Sequence, residues 1–206
     1  MDNALDNQSD DELIGLTRSG QQEAFGALIR RYQGRLYNSM THFLRNETEA
    51  EDVVQDAFVL ALTKLDSFKG NSQFYTWLYR IAHNAAISKL RKKRPSVSLD
   101  QTRNDEDSPR FTVPTNEEQP HERLQRLERA ELLQKAMDRL TDEHRSILIL
   151  REMEEMDYES IAGVLRLAVG TVRSRLHRAR GCLREIMESL EPTETDPISS
   201  NKPTTS

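Results

Sequence analysis

Between Asp157 and Arg180 the chain reads DYESIAGVLRLAVGTVRSRLHRAR, a short apolar helix, a brief break and a longer helix studded with arginine. Ile161, Ala162 and Leu165 fall at helical spacing behind Asp157, a residue suited to capping a helix start. In the second helix Val172, Leu176, Ala179 and Leu183 recur at i, i+4, i+7 and i+11, and Arg173, His177, Arg180 and Arg184 repeat that spacing one residue on. The pattern predicts a helix-turn-helix whose second helix starts near Gly170 and Thr171, with the Thr171 hydroxyl capping free amides or touching a phosphate. A cationic second helix suits a major groove, because arginine forks match guanine edges and phosphates. Spacing alone fits a solvated arginine-rich face as well.

The same helical period governs the rest of the ordered sequence, and strand-type alternation is nearly absent, so the expected fold is all-α. Ser9 and Glu12 form a capping box for a short helix through Thr17, after a polar start. A helix from Gln21 to Leu44 carries Phe25, Leu28, Ile29, Tyr32, Leu36 and Met40 on one stripe and ends at Asn46. Thr48 and Glu51 read as a second capping box, opening a helix to about Leu65 with Val54, Ala57, Phe58, Ala61 and Leu65 inside. After a loop from Asp66 to Ser72, a helix from Gln73 to Lys93 has Phe74, Leu78, Ile81 and Ala85 at core spacing, with Trp77 as a packing residue.

Residues 95–119 lose periodicity and gather Pro95, Pro109, Pro114 and the acidic run Asp105 to Asp107, the composition of a flexible linker. Helices resume from His121 to Leu140 and, capped by Thr141, to about Met153 before the helix-turn-helix. The tail from 191 to 206 has the composition of disorder. The plan is therefore an N-terminal tail and short helix (1–20), a helical domain (21–94), an acidic linker (95–119), a second small helical domain (120–190) and a tail. Net charge is −5 over 206 residues, but bases cluster at Lys89 to Arg94 and Arg173 to Arg184 while acids crowd the N-terminus and the middle. The charge is polarised, which leaves nucleic acid open as a partner.

The residue wording narrows this. Asp157-Tyr158-Glu159-Ser160-Ile161-Ala162 followed by Val169-Gly170-Thr171-Val172-Arg173-Ser174-Arg175-Leu176-His177-Arg178-Ala179-Arg180 resembles region 4 of the extracytoplasmic-function group of sigma-70-type transcription initiation factors. Glu49-Ala50-Glu51-Asp52-Val53-Val54-Gln55-Asp56-Ala57-Phe58 resembles region 2.2 of the same family, and the stretch from Phe68 to Asn84 resembles regions 2.3 and 2.4. Together the resemblance covers roughly residues 21 to 94 and 127 to 187. Two departures stand out: Arg166 where the family usually has glycine, and Thr141 where it usually has proline after the leucine.

The resemblance implies that Asp52, Gln55, Asp56 and Val59, on the face opposite the apolar stripe, dock on the β′ clamp coiled coil of core RNA polymerase, with the β flap as a further contact. Periodicity by itself makes that face an ordinary solvated acidic surface. It further implies that Ser67, Phe68, Lys69, Gly70, Asn71, Ser72, Arg80 and Asn84, with Lys89 and Arg91, take the melted minus-10 strand, for which flipped bases need polar pockets and cationic neighbours. In the second domain Arg173, Ser174, His177 and Arg178 are candidates for base edges of a duplex minus-35 element, and Tyr158, Glu159 and Thr171 for its backbone. An anti-sigma factor is a further partner that the family suggests.

Other classes find little support. The five histidines, His42, His83, His121, His144 and His177, show no metal-ligand spacing, and there is no phosphate-cradling glycine loop or nucleophile elbow, so neither an enzyme nor a cofactor is expected. A lone cysteine, Cys182, reads as a small packing residue in a reducing compartment. No apolar run approaches a membrane span and the N-terminus lacks a signal pattern, so a cytoplasmic protein without membrane insertion is expected. A stand-alone helix-turn-helix regulator is the alternative, and it leaves the front domain without a role.

Overall fold

The computed structural model describes residues 3–93 and 120–191; the expected linker at 95–119 and the tail beyond 191 lie outside the described residues. The elements are α1 (Asn3–Asp6), α2 (Asp10–Arg18), α3 (Gln22–Leu44), α4 (Glu47–Thr63), a 3-10 turn (Leu65–Ser67), α5 (Phe74–Lys93), α6 (Pro120–Arg139), α7 (Asp142–Leu148), a π-helical segment (Ile149–Met153), α8 (Tyr158–Leu165) and α9 (Val169–Leu190). No strand occurs among the described residues.

Most boundaries follow from caps. Ser9 and Glu12 exchange bonds at the start of α2, and Thr141 Oγ1 accepts the His144 amide at the start of α7. The α4 start differs from the expected Thr48–Glu51 box. Asn46 is extended and its Oδ1 accepts the Glu49 amide at 2.8 Å, so the helix opens at Glu47 and Thr48 falls inside the first turn. Asn46 thus serves both as the break after α3 and as the cap of α4. Helix α9 likewise begins at Val169, with Ala168 as an N-cap that offers no side-chain bond, so Thr171 stands in the first turn.

The front bundle packs α3, α4 and α5 around Leu28, Leu36, Met40, Ala57, Ala61 and Leu78, all fully buried. Trp77 is 7% exposed and sits 5.2 Å from Phe68 and 5.8 Å from Phe74, a packing role. In the rear bundle Ile147, Ile149, Ile161, Val172, Leu176 and Ala179 form the core. The helix that starts at Asp142 reaches Met153 as expected, but its last part is a π segment, where the Glu154 amide reaches back to Ile149 O at 3.0 Å. Such a widened turn turns the following side chain to a new azimuth, and here that side chain is Glu154.

Contact between the bundles was not foreseen from the sequence. They share an apolar core and a polar seam. Arg145, 1% exposed, donates to the carbonyls of Met137, Asp138 and Leu140 at the end of α6 and to that of Phe43 at the end of α3, with Asp142 as its counter-ion at 3.3 Å. Helix C-termini concentrate unpaired carbonyls and partial negative charge, which is where a buried guanidinium finds compensation. Burial lowers its pKa to about 10, with Arg45 adding to the effect, so it stays cationic at neutral pH. Arg45 Nη1 donates to Asp138 O at 2.6 Å, and His83 Nε2 lies 3.1 Å from Ser146 Oγ, both across the seam.

Candidate nucleic-acid interface

Helix α9 owes its exposed face to its own period. Val172, Leu176 and Ala179 are buried, which leaves Arg173, Ser174, His177 and Arg178 exposed on the other side, with Thr171 half-buried at the first turn. Arg175 and Arg180 are engaged within the rear bundle, by Glu143 at 3.2 Å and Glu152 at 2.6 Å. Arg173 and His177 have no carboxylate partner among the described residues, and Arg178 bonds only back along the helix, to Ser174 O at 3.4 Å. Arg184, further along the helix, is exposed as well.

Asp157 caps α8 by accepting the Ser160 amide at 2.7 Å, a bond that lowers its pKa. Tyr158 is half-buried, with the Arg151 guanidinium 5.5 Å from its ring centre, and Glu159 is exposed. The turn into α9 places Arg166 in the left-handed region, at φ 55 and ψ 50. That is the conformation glycine adopts without penalty, and a side chain there costs about 1 kcal/mol.

On the front bundle the loop after the 3-10 turn is pinned from within. Phe68 is buried edge-on against Phe74, so its ring anchors the loop, while Ser67, Lys69, Gly70, Asn71 and Ser72 are exposed. Gly70 has φ +70, and its lack of a side chain permits that turn. Arg80, Asn84 and Arg91 are exposed on α5. Lys89, half-buried, pairs with Asp52 of α4 at 2.8 Å, joining a residue expected at the melted strand to one expected at core polymerase. Asp52, Gln55, Asp56 and Val59 share an exposed face of α4, and Val59 is 65% exposed with Leu60 and Leu62 open beside it.

The loop and α5 face α8 across a cavity of about 830 Å³. One wall holds Arg35, Lys69, Asn71 and Arg80; the other holds Glu154, Glu155, Asp157 and Glu159. The structure thus brings Glu159, from the upstream set, to the same space as the loop. Sequence reasoning missed Arg35, whose Nε donates to Glu154 Oε2 at 2.8 Å and whose guanidinium lies 4.4 Å over the Tyr75 ring. It also missed Arg18 of α2, which donates to Leu65 O and Phe68 O. Neither carries a local signal, since their partners stand far along the chain. No group of histidines, cysteines and carboxylates suited to a metal occurs among the described residues.

Fold and faces together define a helical protein with exposed cations on α9 and on α5, the latter preceded by a polar loop pinned at Phe68. The Sigma-70 region 2 family model matches residues 28–95, and the Sigma-70, region 4 model matches residues 130–183. The ECF RNA polymerase sigma factor SigW of Bacillus subtilis is 34% identical over 179 residues, covering 86% of this chain and 96% of that protein. The RNA polymerase sigma-H factor of Pseudomonas aeruginosa is 36% identical over 189 residues, covering 90% and 97%. Among solved structures, CnrH in complex with the cytosolic domain of CnrY superposes with a TM-score of 0.63 at 28% identity, over 88% of this chain and 99% of that one. RpoE in complex with the anti-sigma factor NepR from Bartonella quintana gives 0.61 at 25% identity, over 80% and 96%. The chain belongs to the extracytoplasmic-function group of the sigma-70 family.

Proposed function

We propose that this chain binds core RNA polymerase and directs promoter-specific initiation by taking a melted minus-10 strand on the loop Ser67 to Ser72 with Arg80, Asn84, Lys89 and Arg91, and a duplex minus-35 element on α9. Asp52, Gln55, Asp56 and Val59 form the core-docking face. It acts as an initiation factor rather than an enzyme, in the cytoplasm; among the described residues no helix is long and apolar enough to cross a membrane. The observation that supports this best is the pairing of α9's unpaired outward cations with the exposed loop, in the order of the two matched regions.

Ser67, Lys69 and Glu159 line one cavity, so the loop lies beside the start of α8, while the α9 face proposed for the duplex lies outside that cavity. Core polymerase supplies the docking that makes two weak DNA contacts act as one strong grip, because tethering turns the second contact into an intramolecular one. The factor alone accordingly binds promoters poorly. An anti-sigma factor is a further proposed partner, supported by the NepR complex of the similar structure. Run-off transcription with core polymerase over a pool randomised at both elements tests the function. Enrichment of two separated motifs is expected, and DNA selection without core polymerase points instead to a stand-alone regulator.

A further inference from the structure

From the loop base we infer that Arg18, on the N-terminal helix α2 and ahead of the matched stretch that begins at residue 28, is a positioning residue for minus-10 strand recognition. The inference rests on the proposed reading of the loop as the strand-binding surface. Its Nη2 donates to Leu65 O at 2.7 Å and to Phe68 O at 2.6 Å, the carbonyls of the first residue of the 3-10 turn and of the residue that follows it. The Asp66 carboxylate lies 3.9 Å from its Nε. One nitrogen with two hydrogens thereby ties together two backbone carbonyls 47 and 50 residues away in sequence, from a side chain that is 37% open to solvent.

The consequence falls on the reading residues. Phe68 holds the loop from inside through its ring, and Arg18 holds the same residue from outside through its carbonyl. Lys69, Asn71 and Ser72 follow directly and are exposed. Between Phe68 and the start of α5 at Phe74 the loop has neither a helix nor a strand to keep its shape. Base recognition needs side chains held to a fraction of an ångström, and exposed loops lack that order unless their ends are fixed. Arg18 supplies one such fixed end, and it draws the short N-terminal helix into the promoter-reading unit. Helix α2 is in turn held on α3 through Arg31 to Asp10 and Tyr32 to Asp10, both at 2.5 Å. The chain of support runs from α3 through α2 to the loop.

The test uses the full chain with core polymerase and a promoter pool randomised at both elements, scoring base discrimination at each, with core binding and hydrogen exchange of residues 68–73 measured alongside. Arg18→Ala is expected to reduce minus-10 discrimination on the order of fivefold, comparable to one lost base contact, and to speed exchange in the loop while minus-35 discrimination and core binding hold. Arg18→Lys, whose ammonium keeps three N–H donors for the carbonyls, is expected to recover to within about twofold of the parent. Equal losses at both elements and in core binding overturn the positioning role, because they mark a general folding defect. Asn71→Ala provides the second arm. If it loses minus-10 discrimination while Arg18→Ala does not, the role of Arg18 is overturned and the loop reading stands. If neither variant loses discrimination, the loop reading fails and this inference fails with it.

Discussion

On the outer face of α9, Arg173 and Arg178 stand in solvent with no carboxylate to hold them, whereas in the seam Arg145 is wrapped by four backbone carbonyls and Asp142. The side chain is the same and the surroundings reverse its use. A solvated guanidinium contributes little to folding and remains available to a ligand. A buried one is committed, since removing it would leave several carbonyls without a donor. On the proposed reading, recognition of the duplex falls to the solvated α9 arginines and the stability of the seam to the buried one.

The largest effect that sharpens this contrast is expected at Arg145. Arg145→Ala should cost about 3 to 5 kcal/mol in urea denaturation followed by far-UV circular dichroism, as expected for a broken buried network. A loss below about 1 kcal/mol would place Arg145 with the solvated arginines and dissolve the distinction.

The seam also carries a titrating group. Burial lowers the pKa of His83 to about 4, against about 6.5 when unfolded, so the folded state holds it neutral while the unfolded state takes up a proton. Its contribution is fully present above about pH 6.5 and is lost as pH falls toward 4, up to about 3 kcal/mol across that window. Burial lowers the pKa of His42 as well, so some slope persists in His83→Gln. Denaturation at pH 7 and pH 5 should show the parent losing stability and His83→Gln losing distinctly less; identical slopes refute the assignment to His83.

Smaller in free energy, but located at the other region, are the α9 substitutions. Arg173→Ala and Arg178→Ala should each weaken a cognate minus-35 site by about 1 to 3 kcal/mol, with the melting curve and core binding unchanged. Parental transcription from a minus-35-dependent promoter by both variants would remove α9 from the reading. The smallest effect lies in the turn that joins α8 to α9. Arg166→Gly relieves a left-handed residue and should stabilise by about 1 kcal/mol, a shift visible in thermal melting.

Local physics made much of the fold readable. Ser9 with Glu12, Thr141 and Asp157 announced helix starts because caps depend only on the next three residues. The α9 stripe was readable because its period is intrinsic to the helix. Asn46 and Thr48 competed for one helix start, and the pattern of apolar residues alone could not rank them. The π segment leaves no mark in the period. The seam was illegible for a different reason: Arg145 with Phe43, His83 with Ser146 and Arg35 with Glu154 join residues that no spacing rule connects. Candidate site residues could be named from helical faces and family wording, whereas Arg18, which holds the loop at Phe68, and Arg35, which pairs with Glu154, depend on tertiary folding.

The pairing of Lys89 with Asp52 has a meaning that its distance does not convey. Their side chains are 31% and 61% open to solvent, and an ion pair so placed is worth under about 1 kcal/mol. Either group can therefore change partners almost without penalty. On the proposed function, a junction between the α4 face and α5 that is this easily exchanged leaves the carboxylate free for a protein surface and the ammonium for a phosphate, with neither held back by the other.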